Sequence, residues 1–103
     1  MTLMPLDDEV VQRLMELGTD CEFNAGQVMI HLGERGSGLY LITHGTVLVR
    51  APEGESELGP GQVVGELSLL TPDGVRSAQV LAKTDVRALA VDRVTLEREG
   101  LIR

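Results

Sequence analysis

Aromatic residues are almost missing from this chain: there is Phe23, there is Tyr40, and there is no tryptophan. Any core must therefore be filled by aliphatic side chains. Cysteine occurs once, at Cys21, which excludes an internal disulfide and points to a cytoplasmic setting. No cation or base stands beside Cys21 in sequence, so it reads as a small core residue and not a reactive thiol. Histidine occurs only at His31 and His44, with no His-x-His pair. A catalytic zinc takes about three convergent protein ligands, so a metal-dependent enzyme is disfavoured and no metal ligand is assigned. No apolar run approaches the ~20 residues of a membrane span. The start, Met-Thr-Leu-Met-Pro followed by acids, lacks the pattern of a secretory signal. Basic residues are the minority, 9 Lys+Arg against 16 Asp+Glu, for a formal net charge of -7. A nucleic-acid or anionic-membrane surface would carry the opposite balance. An anionic ligand would meet an unfavourable overall field, so its site has to be built locally.

Motifs of nucleotide enzymes are missing as well. There is no G-x-x-x-x-G-K-[ST] phosphate loop. Gly33-Glu34-Arg35-Gly36-Ser37-Gly38 lacks the G-x-G-x-x-G order and the long helix that should follow it, so a turn between strands accounts for it better. Ser68 has no histidine in an activating motif, which leaves no serine nucleophile. The sequence therefore reads as a non-enzyme that needs no cofactor.

What is present is a globular composition, 43% apolar, in 103 residues with 12 glycines. That length fits one domain spanning 1–103. Residues 6–18 predict an amphipathic helix. Val10, Leu14 and Leu17 lie on one face with Val11 and Met15 beside it, Asp7 can cap the start, and Gly18 can stop it. From 20 to 92 short β-branched runs alternate with glycine-bearing turns, the spacing of a small barrel or sandwich. The runs are 20–23, 28–32, 38–43, 46–51, 55–58, 62–64, 78–83 and 85–92. Hairpin turns are expected at His44-Gly45, Pro52-Glu53-Gly54, Pro60-Gly61 and Pro72-Asp73-Gly74. Both faces are apolar through much of the stretch flanking His44-Gly45, which implies that one of its strands is covered on both sides. Residues 93–103 predict a second helix, with Val94, Leu96 and Leu101 apolar and Gly100 weakening its end.

The chemistry concentrates in Gly65-Glu66-Leu67-Ser68-Leu69-Leu70-Thr71-Pro72-Asp73-Gly74-Val75-Arg76-Ser77-Ala78. It opens on a glycine and a carboxylate, makes a short apolar turn, and closes on an arginine and a hydroxyl. A short helix here would present free N–H groups to an anion. Arg76 can fork two hydrogen bonds onto phosphate oxygens. Glu66 is an acceptor, suited to a sugar hydroxyl rather than to phosphate.

This segment resembles the phosphate-binding cassette of the cyclic nucleotide-binding domains, found in catabolite activator proteins, kinase regulatory subunits and gated channels. The likeness runs from about Phe23 to Asp92. Phe23-x-x-Gly26, Gly33-Glu34, Leu39-Tyr40-x-Ile42-x-x-Gly45 and Gly59-x-Gly61 fall where that family places its turn glycines and strand apolars. Gly65-Glu66-Leu67-Ser68 and Arg76-Ser77-Ala78 are its most specific part. Val75 departs from it, standing where many members have proline, but Pro72 and Gly74 already shape the turn.

The resemblance implies a mainly β fold, an antiparallel β-roll or jelly-roll-like double-stranded β-helix with flanking N- and C-terminal helices. It implies a regulatory domain that binds a cyclic purine nucleotide, cyclic AMP ahead of cyclic GMP, and controls a fused or partner effector. Arg76 would neutralise the cyclic phosphate, helped by N–H groups near Leu67 and Ser68 and by the Ser77 hydroxyl. Glu66 would hold the ribose 2′-hydroxyl, Gly65 would allow close approach of the backbone, and Val64 with Leu67 would line an apolar wall. The alternative is an effector-free module of the same fold used for dimerisation or protein contact. The partners expected are the small-molecule nucleotide and a homodimer mate or fused effector, with no nucleic acid and no membrane.

Overall fold

The computed structural model describes residues 5–36, 38–66 and 74–102. Helix α1 spans Asp8–Leu17. The Asp7 carboxylate caps it, accepting from the Val10 amide at 2.9 Å, so one of the free N–H groups of the first turn is satisfied. Asp8 and Glu9 in that turn complement the positive end of the helix dipole. Val10 and Leu14 are buried, while Met15 is half exposed. Gly18 ends the helix in extended backbone. It is glycine because of crowding: a Cβ there would lie 2.6 Å from the Leu89 Cβ.

Eight strands follow among the described residues: β1 (Thr19–Phe23), β2 (Val28–Ile30), β3 (Gly38–His44), β4 (Val47–Ala51), β5 (Gly54–Leu58), β6 (Val63–Val64), β7 (Gln79–Ala82) and β8 (Val86–Asp92). They form two four-stranded sheets in the orders β1-β8-β3-β6 and β2-β7-β4-β5. Each pairing is antiparallel. The fold is thus mainly β, two antiparallel sheets with short flanking helices, as the sequence implied.

Two aliphatic cores result. One lies between the sheets and contains Met29, Ile30, Ile42, Val47, Val64, Val80, Ala82, Val86 and Ala88. Phe23 and Tyr40 lean on it edge to face, ring centres 5.7 Å apart. The other joins both helices to the outer face of the first sheet through Leu14, Leu39, Leu41, Val91, Leu96 and Leu101. Strand β3 serves both cores: Leu39 and Leu41 face the helices, and Tyr40 and Ile42 face the opposite sheet. Period-2 alternation with both sets apolar is what such a doubly covered strand requires. The expectation of cover on both faces therefore holds.

The turn after β3 is not a hairpin. β3 and β4 belong to different sheets, so His44-Gly45 is a corner at which the chain changes sheet. Gly45 has φ +87°, and a Cβ there would run into the Asp85 carbonyl. Pro60-Gly61, also expected as a hairpin, is likewise a corner, between β5 and β6. In both cases the turn residues mark a reversal but do not say which sheet receives the next strand. Pro52-Glu53-Gly54 does close a hairpin, with Ala51 paired to Gly54. Pro72 and Asp73 lie outside the described residues.

Helix α2 spans Arg93–Arg98, shorter than the expected 93–103. Gly100 takes φ +72°, its amide bonds the Glu97 carbonyl at 3.1 Å, and the Leu101 amide bonds the Leu96 carbonyl at 2.9 Å. This is a Schellman ending, in which a left-handed glycine lets the last carbonyls be satisfied. It turns Leu101 and Ile102 back into the outer core, where both are buried. Val94, expected on the apolar face, is 68% exposed.

Candidate functional site

Arg76 is placed by backbone pairing between two loops. The Gly33 amide donates to the Arg76 carbonyl at 3.0 Å, the Arg76 amide to the Glu34 carbonyl at 2.7 Å, and the Gly36 amide to the Gly74 carbonyl at 2.9 Å. Arg35 and Val75 form an antiparallel bridge at the centre of this ladder. The described part of the glycine-rich stretch, Gly33 to Gly36, thus precedes β3 and braces the end of the cassette.

The side chain is placed by carbonyls. Arg76 Nη1 donates to Gly65 O at 2.7 Å and to Gly38 O at 3.0 Å. Gly65 has φ +89°, and a Cβ there would sit 2.5 Å from Nη1 and 3.1 Å from Ile30 Cδ1. Both the backbone conformation and the close approach therefore call for glycine. Burial pushes the guanidinium below its usual pKa, while Tyr40 and Glu66 pull the other way. A guanidinium still keeps its charge throughout the physiological range.

Beside Arg76 opens a cavity of about 200 Å³. Ile30, Val49 and Val80 from the second sheet and Val63 and Val64 from β6 give it apolar walls. Leu58, Ala78 and Ser56 complete them. Gly65, Glu66, Arg76 and Ser77 bring the polar chemistry. Arg76 is the only basic residue and Glu66 the only acidic one among the described lining residues. Glu66 Oε2 is buried and has no hydrogen-bond partner among the described residues. A buried acceptor left unpaired costs roughly 1–3 kcal/mol, and more when charged, so Glu66 stands to gain from any hydroxyl donor brought within its reach. The cavity thus brings together a carbonyl-anchored cation, a carboxylate whose Oε2 has no partner among the described residues, and mainly aliphatic walls.

Of the residues singled out from sequence, Val64, Gly65, Glu66, Arg76 and Ser77 line this one cavity. Val64 is buried and Ser77 is exposed at the rim. Leu67 and Ser68 lie outside the described residues, as does the short helix expected there. Ile30, Val49, Ser56 and Val80 were not foreseen. The types of Ile30, Val49 and Val80 signal a strand and that of Ser56 does not, but only the pairing β2-β7-β4-β5 brings the four to the cassette.

A family model described as "Cyclic nucleotide-binding domain" matches residues 20–99. The chain belongs to the cyclic nucleotide-binding domain family, a family of regulatory domains. It is 38% identical over 73 residues to a cyclic nucleotide-gated potassium channel of Rhizobium etli, a match covering 71% of this chain and 20% of the channel. It is 40% identical over 74 residues to the cyclic AMP receptor protein of Thermus thermophilus, covering 66% of this chain and 34% of that protein. Among solved structures, one from work on a cyclic-GMP-dependent signalling pathway in bacterial phytopathogenesis superposes with a TM-score of 0.82. It shares 29% identity, with 95% of this chain and 80% of that one covered. The chain thus spans about a fifth of that channel and a third of that receptor protein. No helix among the described residues is long and apolar enough to cross a membrane.

Proposed function

We propose that this chain is a cyclic nucleotide sensor that takes cyclic AMP, does no chemistry on it, and controls an effector fused to it or bound beside it in the cytoplasm. The observation that carries the reading is that a carbonyl-anchored Arg76 and a Glu66 whose buried Oε2 is unpartnered among the described residues line one mainly apolar cavity. A cyclic nucleotide is a singly charged phosphodiester fused to a sugar with one free hydroxyl. Arg76 neutralises the phosphate, with the Ser77 hydroxyl and main-chain N–H groups near Leu67 and Ser68 as further donors. Glu66 accepts from the ribose 2′-hydroxyl. Gly65 lets the backbone approach the sugar, and Val64 packs against its apolar edge. The chain's acidic balance makes this local cation more necessary, since the overall field repels an anion.

The relatives are much longer than this chain and carry names of a channel and a receptor. They support a role as the sensing part of a larger regulator, fused to its effector; a homodimer mate as the other partner, and no nucleic-acid contact by these residues themselves, belong to the same proposal. Isothermal titration with cyclic AMP and cyclic GMP tests the reading. Arg76→Glu should weaken cyclic AMP binding by about 10- to 150-fold, the worth of one charge-assisted hydrogen-bond set. Wild-type affinity in that variant would remove Arg76 from the site. Absence of heat with either nucleotide at millimolar concentration would favour a contact module of the same fold.

A further inference from the structure

We infer that Gly36 is a positioning residue for this site: the space its missing side chain leaves is the seat on which the Arg76 guanidinium rests. The inference rests on the reading of Arg76 as the phosphate ligand. A Cβ built on Gly36 would overlap Nε, Cζ and Nη2 of Arg76, all far inside contact distance. The guanidinium is therefore packed against two glycines, Gly36 at Nε, Cζ and Nη2 and Gly65 at Nη1. Gly36 differs from Gly65 in one respect that makes it testable. Its φ is not in the left-handed region, so alanine suits its backbone.

What must yield when a methyl is added follows from the surroundings. The Gly36 peptide cannot retreat easily, because its amide bonds Gly74 O at 2.9 Å in the ladder that also holds the Arg76 amide. The guanidinium is the end of a flexible side chain, and it can rotate away. Doing so breaks its bonds to Gly38 O and Gly65 O and turns it off the cavity. Alanine at 36 therefore disarms the site and leaves the sheets intact.

The test is a double-variant cycle on the whole chain: wild type, Gly36→Ala, Arg76→Ala and the double variant, each titrated with cyclic AMP and melted thermally. Expected are losses of about 10- to 150-fold for Gly36→Ala and for Arg76→Ala. The double variant should bind like Arg76→Ala, because a methyl at 36 has nothing left to displace, and it should regain any melting temperature that Gly36→Ala loses. Wild-type binding by Gly36→Ala beside weak binding by Arg76→Ala would overturn this inference and leave the role of Arg76 standing. Losses that add in the double variant would also overturn it, since Gly36 would then act through the backbone. So would failure of both Gly36 variants to fold while Arg76→Ala folds. Undiminished binding by Arg76→Ala would overturn the role of Arg76 and this inference with it.

Discussion

In the proposed site, Glu66 and Arg76 divide the work at the residue scale by their hydrogen-bonding types. A guanidinium only donates and a carboxylate only accepts, so the first is matched to phosphate oxygens and the second to a hydroxyl. Arg76 reaches the cavity already anchored by two carbonyls, which reduces the rotamer freedom to be lost when a ligand arrives. Glu66 Oε2 accepts from no described residue. Glu66→Gln keeps the shape and weakens the acceptor, so it should reduce affinity for the ribonucleotide more than for a 2′-deoxy analogue. Competition titration with both ligands checks this, and equal losses would exclude the sugar contact. This part of the site was legible in the sequence because its residues are near neighbours along the chain, from Val64 to Ser77. Gly36 reads only as a turn former, and Gly38 as a turn glycine that opens the strand run 38–43. Nothing local tells that the space above one and the carbonyl of the other hold an arginine, because that contact is made across the fold.

At the scale of elements, the helices owe their ends to single residues. The Asp92 carboxylate accepts from the Thr95 amide at 2.8 Å and starts α2. That backbone hydrogen bond, joined by the Thr95 hydroxyl, holds the Asp92 carboxyl below its usual pKa, against a smaller opposing effect of desolvation. The folded value lies below the unfolded one, so the cap stabilises fully above the unfolded value of about 3.9 and is lost as pH falls through the folded one. Thermal unfolding of wild type and Asp92→Ala at stepped pH should show a gap that is constant near neutrality and shrinks in acid. A gap that does not narrow in acid would contradict the ionised cap. The strands were legible to within a residue or two, since β-branched runs and glycines carry that signal. Their sheet membership was not: the corner at Gly45 and a hairpin glycine look alike in sequence, and only the Asp85 carbonyl packed beneath Gly45 tells them apart.

The whole molecule is two aliphatic cores separated by one sheet. The helices cover the outer face of β3 and β8, and the inner face meets the second sheet, against which the cavity opens. Strand β6 touches both sides: Val63 belongs to the helix-covered core and also lines the cavity. A ligand that shifts β6 would therefore press directly on the packing of the helices, the kind of differential contact that a population shift requires. Leu96 is fully buried and holds α2 to that core. Leu96→Ala should cost about 2–5 kcal/mol by denaturant unfolding, the range for a large-to-small change in a packed interior. A loss well below about 1 kcal/mol would mean that α2 is only loosely attached.

Whether Arg76 and Glu66 grip the two ends of one nucleotide is a question of geometry, and a crystal structure of the chain grown with cyclic AMP addresses it at once. The expected density places the cyclic phosphate on the Arg76 guanidinium and the ribose hydroxyl on Glu66 Oε2, with Gly36 packed behind the guanidinium. Nucleotide density elsewhere on the surface, or a nucleotide in the cavity with Arg76 turned away from its phosphate, would contradict it.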